Sequence, residues 1–306
     1  MLPNENGQED VYTYRFEHAG TMIRVWGRRA TFLPPRKDRN GYASPLSVEN
    51  LPTDQYCWSM QQTRYKACNS AASVQPASRI AFVGCPDDGQ AGPIAPPKGA
   101  SILARMDPRA ARHLAYYKAY QGYGVLAPKG WHCRGWYGSS GGYLVVTPKR
   151  LRPPYFPHPK LTGAAVFAGS ELGDTSGRFD VAVTAARLFP RVAHTFIESI
   201  KAEGLMSDKE FEVKPFPSDA MHYLNDRTVE FMTPAEHVGL GTTGGWLTAS
   251  ALPIRGIMAL ALPPSEPAQI EIMTRLPAGL SDLTESILGW ESRWVLHDEE
   301  SRHAGK

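Results

Sequence analysis

The run Gly138-Ser139-Ser140-Gly141-Gly142 holds the side chain best suited to covalent chemistry, a serine set among glycines. Its letters fit two nucleophile signatures. The Gly-x-Ser-x-Gly elbow needs a strand before the serine and a helix after it. Here Tyr143-Leu-Val-Val-Thr147 follows, which reads as a strand. A Gly-Asp-Ser-Gly-Gly-Pro protease block is broken twice, at Ser139 and Tyr143, and also requires a His and an Asp to deprotonate and orient the serine. His18 with Asp54 or Asp87 is the available set, and His132 stands too near Ser140 in sequence to serve as base. Ser140 therefore defines an alternative reading, a serine hydrolase or peptidase. A Ser/Gly hairpin turn explains the same letters without catalysis.

Other motifs point to less. Gly239-Leu-Gly-Thr-Thr-Gly244 spells a dinucleotide fingerprint, which needs a strand before it and a helix opening at it. Pro253 and the strand-like run after it leave no room for that helix, so a loop is expected and no cofactor is implied. His132 sits among Trp131, Cys133 and Trp136, as a ligand, a proton shuttle or a strand-edge residue. Glu236 and His237 are sequence neighbours and do not face one partner. Asp87, Asp88 and Asp174 lie in glycine-rich loops, where carboxylates make Asx-turns. With no CxxC and no HxxxH spacing, no metal site is expected.

The four cysteines are Cys57, Cys68, Cys85 and Cys133. They allow three pairings or four reduced thiols. The favoured pairing is Cys57–Cys68 with Cys85–Cys133, because each bond would pin a loop-rich segment to something ordered. By chain entropy the shorter loop is worth about 3 kcal/mol and the longer about 4 kcal/mol. The residues around Cys133 are the best recognition candidates: Trp131, His132, Trp136, Tyr137 and Tyr143. Tyr and Trp carry large contact area at low entropy cost. The competing reading is a core cluster packed against a disulfide.

The elements that must position these residues follow from periodicity. Residues 11–33 alternate as strands and end at Pro34-Pro35; residues 36–78 are polar and irregular. A short strand is expected over 79–83. The run 84–99 holds too many breakers for regular structure. Asp107 and Pro108 open a helix expected to run to 121. Val125-Leu-Ala127 and Tyr143–Thr147 flank the aromatic hairpin, and residues 148–160, with five prolines, form a connector. A helical region covers 177–203, with Pro190 opening its second half and Val192, Phe196 and Ile200 on its buried face. Strands are expected over 227–232, 254–262 and 268–274. A last helix, over 280–295, carries the stripe Leu280, Leu283, Ile287, Trp290 and Trp294. This order predicts an α+β fold: an antiparallel sheet covered by the helices at 108–121 and 280–295, behind an irregular, β-containing N-terminal region. The division is drawn as 1–84 and 85–306.

Bulk composition excludes several classes. Hydrophobic residues make up 42% and charged residues 21% of the 306, as in a globular protein with a real core. A formal charge of +3 with no Lys/Arg stripe argues against nucleic acid. No run approaches a membrane span. The first ten residues carry neither a basic nor an apolar signal region, so the chain reads as cytoplasmic or as the mature form of an exported precursor.

Leu126-Ala-Pro-Lys-Gly-Trp-His-Cys133, followed by Gly138-Ser-Ser-Gly141 and Val145-Val-Thr-Pro148, resembles a block found in uncharacterised exported bacterial proteins. Val83-Gly-Cys-Pro-Asp-Asp-Gly-Gln-Ala-Gly-Pro93 and Ile254-Arg-Gly-Ile257 fit the same pattern. The resemblance spans roughly residues 80–295. It implies a periplasmic or secreted setting and carries over no activity. A looser, fold-level likeness to PsbP-type domains rests on Pro128-Lys-Gly-Trp131 and the C-terminal helix. Together these readings predict an exported, non-catalytic binding or accessory protein that meets a protein or cell-envelope ligand through the aromatic hairpin. The alternatives are the Ser140 hydrolase and an inhibitor or immunity protein that binds another protein.

Overall fold

The computed structural model describes residues 11–16, 21–26, 29–33, 46–48, 77–152, 158–262 and 266–291. The chain divides into two compact units, Met1–Gln75 and Pro76–Lys306. The division drawn from composition falls later, after residue 84. β5 (Ala77–Gly84) lies wholly within the second unit, where it pairs with β7 (Ile102–Arg105) and β8 (Leu114–Lys118).

The first unit contains an antiparallel meander of β1 (Val11–Phe16), β2 (Thr21–Trp26), β3 (Arg29–Leu33) and β4 (Leu46–Val48). Its register runs from Val11 opposite Trp26 to Phe16 opposite Thr21. Cys57 and Cys68, with their expected cross-link, lie outside the described residues, as do His18 and Asp54.

The second unit is α+β. Its main sheet orders eight strands as β13-β14-β15-β16-β12-β11-β10-β6. In chain order these are β6 (Asp87–Gly89), β10 (His132–Tyr137), β11 (Gly141–Thr147), β12 (Ala165–Leu172), β13 (Ala220–Tyr223), β14 (Thr228–Thr233), β15 (Ile254–Ala261) and β16 (Ala268–Arg275). All neighbours are antiparallel except β6 and β10. A second sheet orders β7-β5-β8-β9, with β9 at Val125–Pro128.

The main sheet is buried on both faces, so period-2 alternation sorts its side chains between two cores. Leu144, Val146, Val166, Ala168, Ile257 and Ile272 face the second sheet and the helix over 283–291. Val145, Ala165, Phe167, Met258 and Met273 face α2 (Arg178–Leu188) and α3 (His194–Lys201). The result is three layers, with the large sheet in the middle.

Several expected elements differ. The helix from Pro108 stops at His113, and Leu114–Lys118 is strand β8. Asp107 does cap it, accepting from the Arg109 N–H at 2.8 Å. The run Leu114-Ala-Tyr-Tyr-Lys118 pairs on both edges and is largely buried, and tertiary pairing overrides the alanine-rich pattern before it. The sheet is therefore covered by α2 and α3 rather than by 108–121. Pro190 lies in the turn between α2 and α3, not at the start of α3. The buried face of α3 is Phe196, Ile197 and Ile200, while Val192 is exposed. The breaker-rich run after Gly84 contains a short strand, β6, parallel to β10.

One buried group gives the fold a pH dependence. Glu291, fully buried on the 283–291 helix, accepts from the Leu126 N–H at 3.0 Å through Oε1, and Oε2 has no partner. Burial pushes its carboxyl up to about 8, against a hydrogen bond from Leu126 that pulls it down. The native state thus holds this proton more tightly than the unfolded chain. Its contribution is complete below the unfolded value near 4.3 and is lost as pH rises toward 8. Glu291→Gln is expected to match the wild type at pH 4 and to exceed it at pH 8, by on the order of a few kcal/mol. Thermal melts at the two pH values check this, and an equal loss at both would contradict it.

Candidate functional site

Ser140 sits on a tight hairpin. Gly138 N–H donates to Gly141 O at 2.9 Å, so Ser139 and Ser140 form the turn between β10 and β11. A strand follows Ser140, as the sequence predicts. The Ser140 side chain lies against Tyr143 and Glu171. Asp87 does not back it. That carboxylate is buried and accepts from the backbone N–H groups of Asp88 (3.1 Å) and Gln121 (3.0 Å).

The hairpin is braced from the proline-rich side. Cys85 and Cys133 form a disulfide with Cα atoms 5.4 Å apart. Arg134 pairs with Asp88 at 2.9 Å, and Tyr137 Oη donates to Gly92 O at 2.8 Å. Gly135 has no room for a side chain: a Cβ there would lie 2.5 Å from the Ala119 Cβ and 2.7 Å from Asp87 Oδ1. Tyr117 Oη donates to Pro128 O at 2.8 Å and accepts from the Trp131 N–H at 3.1 Å, closing the Pro-Lys-Gly-Trp turn. Gly130 supplies the turn's positive φ of 85°.

The five recognition candidates do not form one surface. Trp131 is half-buried against the core shared with the second sheet, and His132 is exposed. Both line a hollow of about 340 Å³ with Arg134 and Arg150. Trp136 is 1% exposed and Tyr143 stands directly opposite it in the β10–β11 register, both toward α2. Tyr137 is half-buried on the opposite side of β10.

The Trp136 and Tyr143 side chains belong to an aromatic cluster that sequence reasoning did not assemble. Trp246 is its centre. Its ring centroid lies 4.1 Å from His158, stacked, 4.9 Å from Trp136, 5.4 Å from Tyr143 and 5.6 Å from Phe167. Trp246 and the 158–163 segment are held together by backbone bonds. Leu161 N–H donates to Trp246 O at 2.8 Å, and Thr248 N–H to Leu161 O at 3.0 Å. Arg275, fully buried at the end of β16, locks them. Its Nε donates to Gly163 O at 2.8 Å, Nη1 to Thr248 O at 2.6 Å and Nη2 to Leu161 O.

Tyr143, His158, Phe167 and Trp246 of this cluster form one wall of a cleft of about 540 Å³ between the main sheet and α2, and Trp136 is buried behind them. The floor is polar. Glu171 on β12 stands opposite Gln269 on β16, and Glu271 lies two residues further along the same face. Asp180 of α2 lines the other side. Glu171 and Gln269 are 8% exposed and Glu271 is 6% exposed. Glu171 Oε1 accepts from the Tyr143 hydroxyl. Glu171 Oε2, Glu271 Oε1 and Gln269 Oε1 are buried without a hydrogen-bond partner. Such orphaned acceptors are rare in native interiors and costly.

Their titration follows from this burial. Glu271 is pushed up to about 8, first by desolvation and then by the charge of Glu171. Glu171 is raised to about 7 by desolvation, and the Asp180 charge adds to this; hydrogen bonds from Tyr143 and Ser140 pull the other way. Burial raises Asp180 as well. Tyr143 is raised by burial and by the adjoining Glu171, and the His158 imidazole is lowered by burial. Arg187 also lines the cleft, but its Nη1 donates to Lys214 O at 2.7 Å and its guanidinium stacks on Phe216.

Among the described residues, no group of three His, Cys, Asp or Glu side chains is disposed to hold a metal ion, and no helix is long and apolar enough to cross a membrane. The Gly239–Gly244 run is the loop expected, with one short 3-10 turn at Leu240–Thr242 between β14 and β15. No protein-family model, no curated protein and no solved structure matches the chain.

Proposed function

We propose that this is an exported, non-catalytic binding protein that takes a small ligand in the cleft between the main sheet and α2. The aromatic hairpin contributes Tyr143 to the wall of that cleft, with Trp136 packed behind it against Trp246. The observation that carries the reading is the set of buried, unpartnered oxygens of Glu171, Gln269 and Glu271 lining a cavity. Concave sites with apolar walls and a few convergent polar groups are where small molecules bind. The Cys85–Cys133 disulfide supports an oxidising compartment, since such bonds rarely persist in reducing cytosol. The resemblance of the Leu126–Cys133 block to exported bacterial proteins points the same way.

Carbodiimide labelling tests whether the cleft admits ligands. Dicyclohexylcarbodiimide modifies protonated carboxyls that it can reach from solvent. At pH 6 the folded protein is expected to be labelled at Glu171 and Glu271, read by peptide mass spectrometry. Glu291, buried in the other core, is expected to stay unmodified. Labelling of none of the three, or of Glu291 alone, would overturn the reading.

A further inference from the structure

The chemistry of the cleft narrows its ligand. Three acceptor oxygens on two neighbouring strands have no partner: Glu171 Oε2, Gln269 Oε1 and Glu271 Oε1. Gln269 is 8% exposed and lines the cavity, so its orphaned oxygen is a built feature rather than a solvated one. The floor therefore calls for a donor-rich guest. Charge selects among donors. Glu171, Glu271 and Asp180 enclose the cavity from β12, β16 and α2. Among the described residues the cation lining it is Arg187, which is engaged with Lys214 O and the Phe216 ring. His158 and Tyr143, the other titratable groups facing the floor, favour their neutral forms.

The wall selects shape. Trp246, Phe167 and Tyr143 present an aromatic face beside the carboxyls. Aromatic rings, tryptophan above all, attract cations and cover apolar stems. Resting on the reading of the cleft as a ligand site, we infer that it binds an organic cation with N–H donors, a guanidinium or a primary ammonium, with its apolar stem along Trp246 and Phe167. N–H groups satisfy the orphaned oxygens, which a quaternary ammonium cannot do. The positive charge offsets the mutual repulsion of the carboxylates that burial otherwise keeps protonated.

A proton must therefore leave when the guest enters. Glu271 at about 8 and Glu171 at about 7 are largely or half protonated at neutrality. The cation stabilises their ionised forms, so binding releases protons and tightens as pH rises through 7 to 8.

The test is calorimetric titration of the full chain with agmatine, which carries both a guanidinium and a primary ammonium. Choline and glucose serve as comparison probes. Agmatine is expected to bind about tenfold or more tightly at pH 8.5 than at pH 6. Titrations in phosphate and Tris at pH 7 should show release of about one proton per agmatine. Glu271→Gln, which keeps the shape of the neutral side chain, is expected to fold, to weaken agmatine about tenfold or more and to reduce the proton release.

Four results would overturn the inference: pH-independent agmatine binding, choline binding as tight as agmatine, agmatine binding indifferent to Glu271→Gln, or no agmatine binding at all. Glucose binding without agmatine binding would overturn it too and leave the cleft reading standing. Loss of that reading is marked separately, by the absence of carbodiimide labelling at Glu171 and Glu271.

Discussion

Replacing both Cys85 and Cys133 with alanine is expected to remove about 4 kcal/mol of folding free energy. The bond closes a loop across a sequence separation of 48, and chain entropy assigns a loop of that size about this much. Cys85 is fully buried in the core shared with the second sheet, so alanine avoids burying a hydroxyl there. The bond also fastens the proline-rich run to β10, where β6 pairs through only three residues, Gly135 with Asp87 to Tyr137 with Gly89. Such a short parallel pairing does not hold by itself. Urea unfolding of the variant beside the oxidised wild type should show this fall in midpoint. An unmoved midpoint would mean that Asp87, the Arg134–Asp88 pair and Tyr137 suffice to hold the hairpin.

Arg275→Met is the second large effect. The guanidinium is fully buried and donates to Gly163 O, Thr248 O and Leu161 O. Methionine fills much of the volume but leaves these carbonyls without their donor. Hydrogen bonds to a charged group are worth about 1.5–3 kcal/mol each, and they are not additive. A loss of about 3–5 kcal/mol is expected, the sum of such bonds reduced for their lack of additivity. Arg275→Lys should recover only part of it, because an ammonium cannot span three carbonyls in one plane. The damage should also reach the cleft, because the same bonds hold the 158–163 segment against Trp246 and Thr248. Trp246 is the centre of the aromatic wall, so near-ultraviolet circular dichroism of the folded variant should change. A variant as stable as the wild type, with an unchanged aromatic spectrum, would remove Arg275 from this role.

The hairpin, its disulfide and the three late strands were legible in the sequence because each carries a local signal. Gly130 and Gly138 to Gly142 mark turns, Val145-Val-Thr is a β-branched run, and Ile254 to Ala261 is an apolar run between prolines. β8 was not legible, because alanines shared by a helix and a buried strand do not choose between them without the partners β5 and β9. β12 went unread for a similar reason. Ala165-Val-Phe-Ala-Gly-Ser-Glu-Leu172 is buried on both faces and shows no clean alternation, and one of its two partners, β16, lies far along the chain.

The cleft itself was hidden by the rule that reveals strands. Ala268-Gln-Ile-Glu-Ile-Met273 alternates polar with apolar, which ordinarily marks Gln269 and Glu271 as a solvent face. The structure covers that face with α2 and buries both. One signal was present in the helix that follows β12: α2 carries Asp180 in its first turn. Trp246, inside a glycine-rich loop, offered no periodicity at all. The candidates Trp131, His132 and Tyr137 were chosen by adjacency in sequence. Of the five, only Tyr143 lines the cleft; Trp136, Tyr137 and Tyr143 border a separate hollow of about 420 Å³ with His158.

The most direct measurement is a carboxyl-carbon NMR titration of protein labelled at the glutamate side-chain carboxyl, with assignments from Glu171→Gln, Glu271→Gln and Glu291→Gln. Three glutamates should titrate far above the rest, near 7, 8 and 8. Saturating agmatine should draw the Glu171 and Glu271 midpoints down and leave that of Glu291 in place. Uniform titration near the ordinary glutamate value, or an equal shift of all three by agmatine, would contradict a charged cleft that exchanges its protons for a cationic guest.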